Sequence, residues 1–162
     1  MHDAILEYFT GEKYGGLVIA LIGLSALVAA AVLFQPRWEL RPFAVVLAVM
    51  GLLELTVGLG LWLRTGPQID QLLALHGSDP ARMLADETTR MTRVQATFVR
   101  LEIVWLVLIA AAATIALTQR GRPVLWSAAL GVLLHAAVLF VFDSIAERRG
   151  AAYLSALTRA PR

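Results

Sequence analysis

The sequence predicts an all-α membrane protein: a four-transmembrane-helix antiparallel bundle with helical extensions on one side. Three observations lead there. Four apolar runs, at 15–34, 43–63, 101–117 and 124–142, are each close to the ~20 residues that cross a hydrocarbon core of ~30 Å. The 162-residue chain is 59% hydrophobic, against ~45–50% for a soluble domain, and its mean hydropathy is +0.72. The connections at 35–42 and 119–123 are short and hold Pro36, Pro42, Gly121 and Pro123, so consecutive spans should lie antiparallel.

The N-terminal segment 1–14 reads as a short amphipathic lead-in with Ile5, Leu6 and Phe9 on one face, loosened at Gly11. It lacks the basic n-region of a signal peptide, since Asp3, Glu7 and Glu12 stand against Lys13, so the first span is expected to stay in the protein. That span is rich in small residues, and Ala26 and Ala30 form a small-xxx-small pair that lets another helix approach. In the following loop Trp38 suits the headgroup level, and Pro42 suits the start of span two. Thr65-Gly66-Pro67 is expected to end that span.

The segment 67–100 is the one sizeable polar stretch. A short helix is expected at 68–75, stopped by Gly77. Asp79 as N-cap and Pro80 at N1 then start a new helix. No Gly or Pro follows until after 117, which predicts one helix from about 80 to 117, or ~57 Å at 1.5 Å per residue. It carries a heptad stripe of Leu84, Glu87, Met91, Val94, Phe98, Leu101, Trp105, Leu108 and Ala112, the spacing of a packed helix face. Span four is expected to run on as an amphipathic extension, 143–158, bending at Gly150 and ending near 157. The whole chain then forms a single four-span domain with extensions chiefly from helices three and four.

Orientation follows from the basic residues. Of the 14 Lys and Arg, ten (Lys13, Arg64, Arg82, Arg90, Arg93, Arg100, Arg148, Arg149, Arg159, Arg162) fall on the side of the termini and four (Arg37, Arg41, Arg120, Arg122) on the other. The positive-inside rule therefore puts both termini in the cytoplasm of a bacterial inner membrane. Spans two and four also align at an offset of 81, with Arg41-Pro42 against Arg122-Pro123 and Leu52-Leu53-Glu54 against Leu133-Leu134-His135, the pattern of a parallel repeat.

Composition excludes several chemistries. With no cysteine there is no disulfide, thiolate metal site or thiol redox centre. No nucleotide, metalloprotease or hydrolase motif is present, so the expectation leans away from an enzyme. No cofactor is expected: haem would want two axial histidines, and His2 and His76 lie outside the spans. Zinc would want more ligands than His135 and one carboxylate. In 67–100, four acids (Asp70, Asp79, Asp86, Glu87) balance four arginines (Arg82, Arg90, Arg93, Arg100), which argues against a nucleic-acid partner.

Two groups of residues stand out. Glu54 is the one ionisable group in 43–63, and His135 sits mid-span in 124–142; each lies 12 residues after its loop proline, hence at similar depth. A charged carboxyl there costs ~2.5–3.5 kcal/mol on insertion scales, so the pair is expected to face inward and each other. Such a pair either handles a proton or small cation or fixes helix packing through a hydrogen bond. The second group lies at the cytoplasmic boundary: Glu87, Arg90, Arg93, Arg100 and Glu102 from the long helix, Asp143, Glu147, Arg148 and Arg149 from the end of span four. Asp143 and Glu147 share a face and are expected to meet Arg100 or Arg93. This set reads either as an ion-pair collar or as a site for a phosphorylated or lipid headgroup. Three functions follow: proton or small-cation handling at Glu54 and His135; a non-catalytic accessory, assembly or sensor subunit; or a membrane enzyme acting on a lipid headgroup. Expected partners are membrane lipids and either a second copy or another membrane protein.

Overall fold

A computed structural model describes residues 1–34 and 40–160. They form four helices: α1, His2–Phe34; α2, Arg41–Ser78; α3, Pro80–Thr118; and α4, Pro123–Arg159. Each contains a stretch long and apolar enough to cross a membrane. The expectations for Pro36, Arg37, Trp38 and Arg162 fall outside the described residues.

Two expected interruptions are absent. Gly11 does not interrupt α1, which is helical from His2. Thr65-Gly66-Pro67 does not end α2, although Pro67 lies inside it. Pro67 removes one backbone donor, while Thr65 Oγ1 adds a bond to the Leu61 carbonyl at 2.6 Å. What holds the far side of Pro67 is packing: Ile69, Leu72, Leu73 and Leu75 all rest on the core at this end of the molecule, and burial outweighs the local break. Gly150 is buried inside α4, against the side chains of Gln95 and Met91 on α3, so its missing Cβ serves close packing.

The expected helix start at Pro80 is present, and its cap is visible. The Asp79 carboxylate accepts from Arg82 N at 3.0 Å, and Asp79 N donates to the Leu75 carbonyl at 2.8 Å. One residue thus closes α2 and opens α3. α3 then runs unbroken through Thr118.

α1 and α2 pack most extensively, then α3 and α4; α2 and α4 join the two hairpins, and the backbones of α1 and α3 stay apart. The apolar half of α3 is the most peripheral element, with Ile103, Val104, Leu106 and Val107 exposed. Its heptad stripe faces inward: Glu87, Met91 and Ala112 are buried, Val94, Phe98, Leu101 and Trp105 half-buried, and Leu108 alone is exposed.

The extensions come from all four helices, not chiefly from α3 and α4. Ile5, Tyr8 and Phe9 of α1, Met83 and Met91 of α3, and Tyr153 and Leu157 of α4 form a buried cluster. Tyr8 and Tyr153 stack at 4.6 Å between centroids, and Phe9 meets both edge-on. The first turns of α1 and the last turns of α4 lie at this end, the polar end.

Candidate functional site

The buried face of α2 runs Ala44, Leu47, Gly51, Glu54, Gly58, alternating threes and fours as a helix seam must. Glu54 is therefore aimed inward by the same register that buries its neighbours. On α4, Gly131, His135 and Leu139 share a buried face, and Gly131 sits against Phe43 and Val46 of α2. That glycine lets α4 approach closely one turn before His135.

The two side chains meet. His135 Nδ1 lies 2.7 Å from Glu54 Oε1, and the side chains are 4% and 0% exposed. This is the short end of the N–O range, as expected when charge or a shared proton assists the bond. The partners are 81 residues apart, the same offset at which the two spans align in sequence. Glu54 Oε2 and His135 Nε2 are also buried, and neither has a hydrogen-bond partner among the described residues.

Proton counting gives those two atoms a meaning. With one proton between Oε1 and Nδ1 and a second on Nε2, the pair is neutral overall, whether drawn as acid with imidazole or carboxylate with imidazolium. Removing the Nε2 proton leaves a net negative pair. Either His135 Nε2 or Glu54 Oε2 has room in its bonding to carry that second proton, and an unpaired buried donor at either atom costs ~1–3 kcal/mol. Among the described residues no three His, Asp or Glu side chains gather as a metal-ligand set.

A second feature lies between the pair and the polar end. A cleft of about 670 Å³ is bounded by all four helices, including Glu12 of α1, Leu61 and Arg64 of α2, Phe98 of α3 and Phe142 of α4. Leu61 and Phe142 each stand seven residues beyond a member of the pair, which is two helical turns, or ~10.5 Å, along the same face. The near edge of the cleft is therefore two turns from Glu54 and His135.

The boundary set is divided among separate contacts. Glu87, 3% exposed, takes a two-point bond from Arg90, with Nε to Oε2 at 2.8 Å and Nη2 to Oε1 at 2.7 Å. Arg90 also lies 5.4 Å from the centre of the Phe9 ring. Burial opposes the Arg90 charge, but Glu87's hydrogen bonds and charge outweigh it and hold the guanidinium above its ordinary range. Asp143 accepts from Trp105 Nε1 at 2.7 Å, and Glu102 from Ser144 at 3.1 Å. Glu147 offers its backbone carbonyl to Gln95. Asp143 and Glu147 form no ion pair with Arg93 or Arg100, and Arg148 forms none either, among the described residues.

Four participants were not singled out from sequence. Glu12 and Arg64 pair across α1 and α2 at 3.1 Å; each sits where its apolar run meets the polar end, the one signal that could have flagged them. Tyr8 and Tyr153 could not have been found without the fold. Burial, then the negative charge of Glu12, pushes the Tyr8 hydroxyl up to about 12. Burial, then Glu87, raises Tyr153 as well. Tyr8 should therefore ionise first in the unfolded chain, so its contribution is intact below pH ~10 and declines as pH rises toward 12. The expected loss is at most ~2.7 kcal/mol. The absorbance difference at 295 nm between wild type and Tyr8→Phe should show a midpoint near 12; a midpoint near 10 would mean that Tyr8 is solvated.

Compared with protein-family models, curated proteins and solved structures, the chain matches none of them.

Proposed function

We propose that this chain is a small bacterial inner-membrane protein that takes up and releases a proton at Glu54–His135. The observation that carries the reading is the 2.7 Å carboxylate–imidazole contact in an apolar interior, with Nε2 and Oε2 both buried and unpartnered. A contact serving packing alone would be expected to satisfy all its polar atoms, because an orphan donor or acceptor weakens the packing it serves. The cleft ending two turns away gives protons a short approach from the polar end.

In proteoliposomes carrying an imposed pH gradient and an internal pH dye, wild type should dissipate the gradient. Glu54→Gln, which keeps shape and one hydrogen bond, should slow this at least ~10-fold, the scale on which removing a proton-transfer group acts. Equal rates would refute the reading and leave the pair as a helix fastener.

The ten-to-four distribution of basic residues supports a cytoplasmic position for both termini. Reporter fusions should read Gly77 as internal and Gly121 as external. The reverse would put the cleft on the outer face.

A further inference from the structure

The boundary cleft has a polarity gradient along its length. Toward the apolar spans it is walled by Leu61, Phe98, Leu101 and Phe142; toward the polar end by Arg90, Arg93 and Arg149. On α3 the lining runs from Asp86 to Leu101, ~22 Å at 1.5 Å per residue. The change from basic to apolar wall falls where all four helices leave their apolar runs. A site of this shape matches a molecule with an anionic head and an apolar tail, lying across the boundary itself.

The charges in the cleft are not all matched. Arg64 is paired with Glu12 and Arg90 with Glu87, and Asp86 lies 3.6 Å from Arg82. Arg93 and Arg149 have no carboxylate within ion-pair distance among the described residues. Arg149 is nonetheless held in place: Nη1 donates to the Gly11 carbonyl at 2.6 Å. Its guanidinium lies where side chains at Gly11 and Gly15 would otherwise go, since a Cβ at Gly11 would stand 2.8 Å from Nη1 and one at Gly15 3.2 Å from Nη2. A positioned guanidinium without a carboxylate is what phosphate recognition requires.

The cleft also needs a donor. Glu12 Oε1 is used by Arg64, but among the described residues Glu12 Oε2 is buried with no partner, and the Asp143 carboxylate is met by one indole N–H. A headgroup with an ammonium or hydroxyl would satisfy these acceptors, whereas a quaternary ammonium has no N–H to give.

We propose that this cleft binds one membrane phospholipid, its phosphodiester on Arg93 and Arg149, its donor-bearing headgroup against Glu12 and Asp143, and an acyl chain along Leu61, Phe98, Leu101 and Phe142. Binding involves no chemical step and does not rest on the proton reading.

The test is native mass spectrometry of the full chain in detergent with added phosphatidylethanolamine, phosphatidylglycerol or phosphatidylcholine of identical chains, and with glycerol 1-phosphate. One bound lipid per chain is expected, with the ethanolamine or glycerol lipid retained at least ~5-fold over the choline lipid, and no retention of the chain-free phosphate. Arg149→Gln should reduce retention ~10-fold. Because Arg149 also bridges to α1, Arg93→Gln, on an exposed position, is the second variant; it should keep the wild-type melting temperature and still lose several-fold. Equal retention of all three lipids, undiminished retention by Arg93→Gln, or retention of glycerol 1-phosphate alone would each overturn the proposal. None of these readouts involves proton flux, so failure here and failure of the proton reading are separable.

Discussion

Glu54→Leu should lower stability in detergent by ~2 kcal/mol, and His135→Leu by a similar amount, whereas the double substitution should cost less than either alone. Each single change strands a buried polar partner: the imidazole loses its one contact, or the carboxyl loses its own. Inside an apolar bundle an abandoned group costs ~1–3 kcal/mol. Hydrogen bonds between membrane helices average ~0.6 and reach ~1.7 kcal/mol, so the stranded group, more than the lost bond, sets the scale. Replacing both removes the orphans at Oε2 and Nε2 as well, and buried polar pairs exchanged for apolar residues are often neutral or better. A double-mutant cycle by thermal unfolding measures this. Additive losses would mean that the two side chains do not act as a unit. A double mutant that is stable yet passes no protons separates function from packing most cleanly.

The four spans and the Glu54–His135 contact were legible in the sequence for a simple reason. A single ionisable group in each of the runs 43–63 and 124–142 leaves few partners, and equal distance from a loop proline sets equal depth. The start of α3 was legible because a cap is local: Asp79 needs only Arg82 N, three residues on. The continuity of α1 and α2 was not. Gly11 and Pro67 are local signals, and they lost to contacts with residues far along the chain: Arg149 seated over Gly11, and Ile69, Leu72 and Leu73 packed on the Ile5–Tyr153 core. The boundary arginines show the same limit. Charge spacing put Asp143 within reach of Arg93 or Arg100, but the choice of partner depends on helix rotation, which turned Asp143 toward Trp105. Arg149, easily passed over beside Arg148, became a structural anchor because two glycines on another helix left room for it.

The α1–α2 seam is the most sensitive to volume. Ala26 and Ala30 are buried, as the small-xxx-small pattern implies, but the tightest approach is made by glycines spaced seven apart on each helix. A Cβ on Gly23 would stand 2.5 Å from the Gly51 carbonyl oxygen and from Leu55 N. One on Gly58 would stand 2.5 Å from the Gly16 carbonyl oxygen and from Ala20 N. These obstacles are backbone, so no rotamer change relieves them and the helices must separate. Mid-helix glycine forfeits ~0.5–1 kcal/mol against alanine, and in an isolated helix Gly→Ala would therefore stabilise. Here the sign should reverse. Gly58→Ala should destabilise by ~1–3 kcal/mol, the usual range for overpacking, and Gly58→Val by more. Gly60, two residues beyond Gly58 and with nothing within 4 Å of its Cβ position, is the internal control: Gly60→Ala should be neutral or slightly stabilising. Separation of α1 from α2 would also shift Glu54, whose Cβ lies 3.0 Å from the Cβ position of Gly23. Gly23→Ala should therefore lower the melting temperature and, on the proposed proton reading, slow gradient dissipation, while Gly60→Ala leaves both as in wild type. If Gly23→Ala melts like wild type, the two backbones are not in contact and the seam is held by side chains instead.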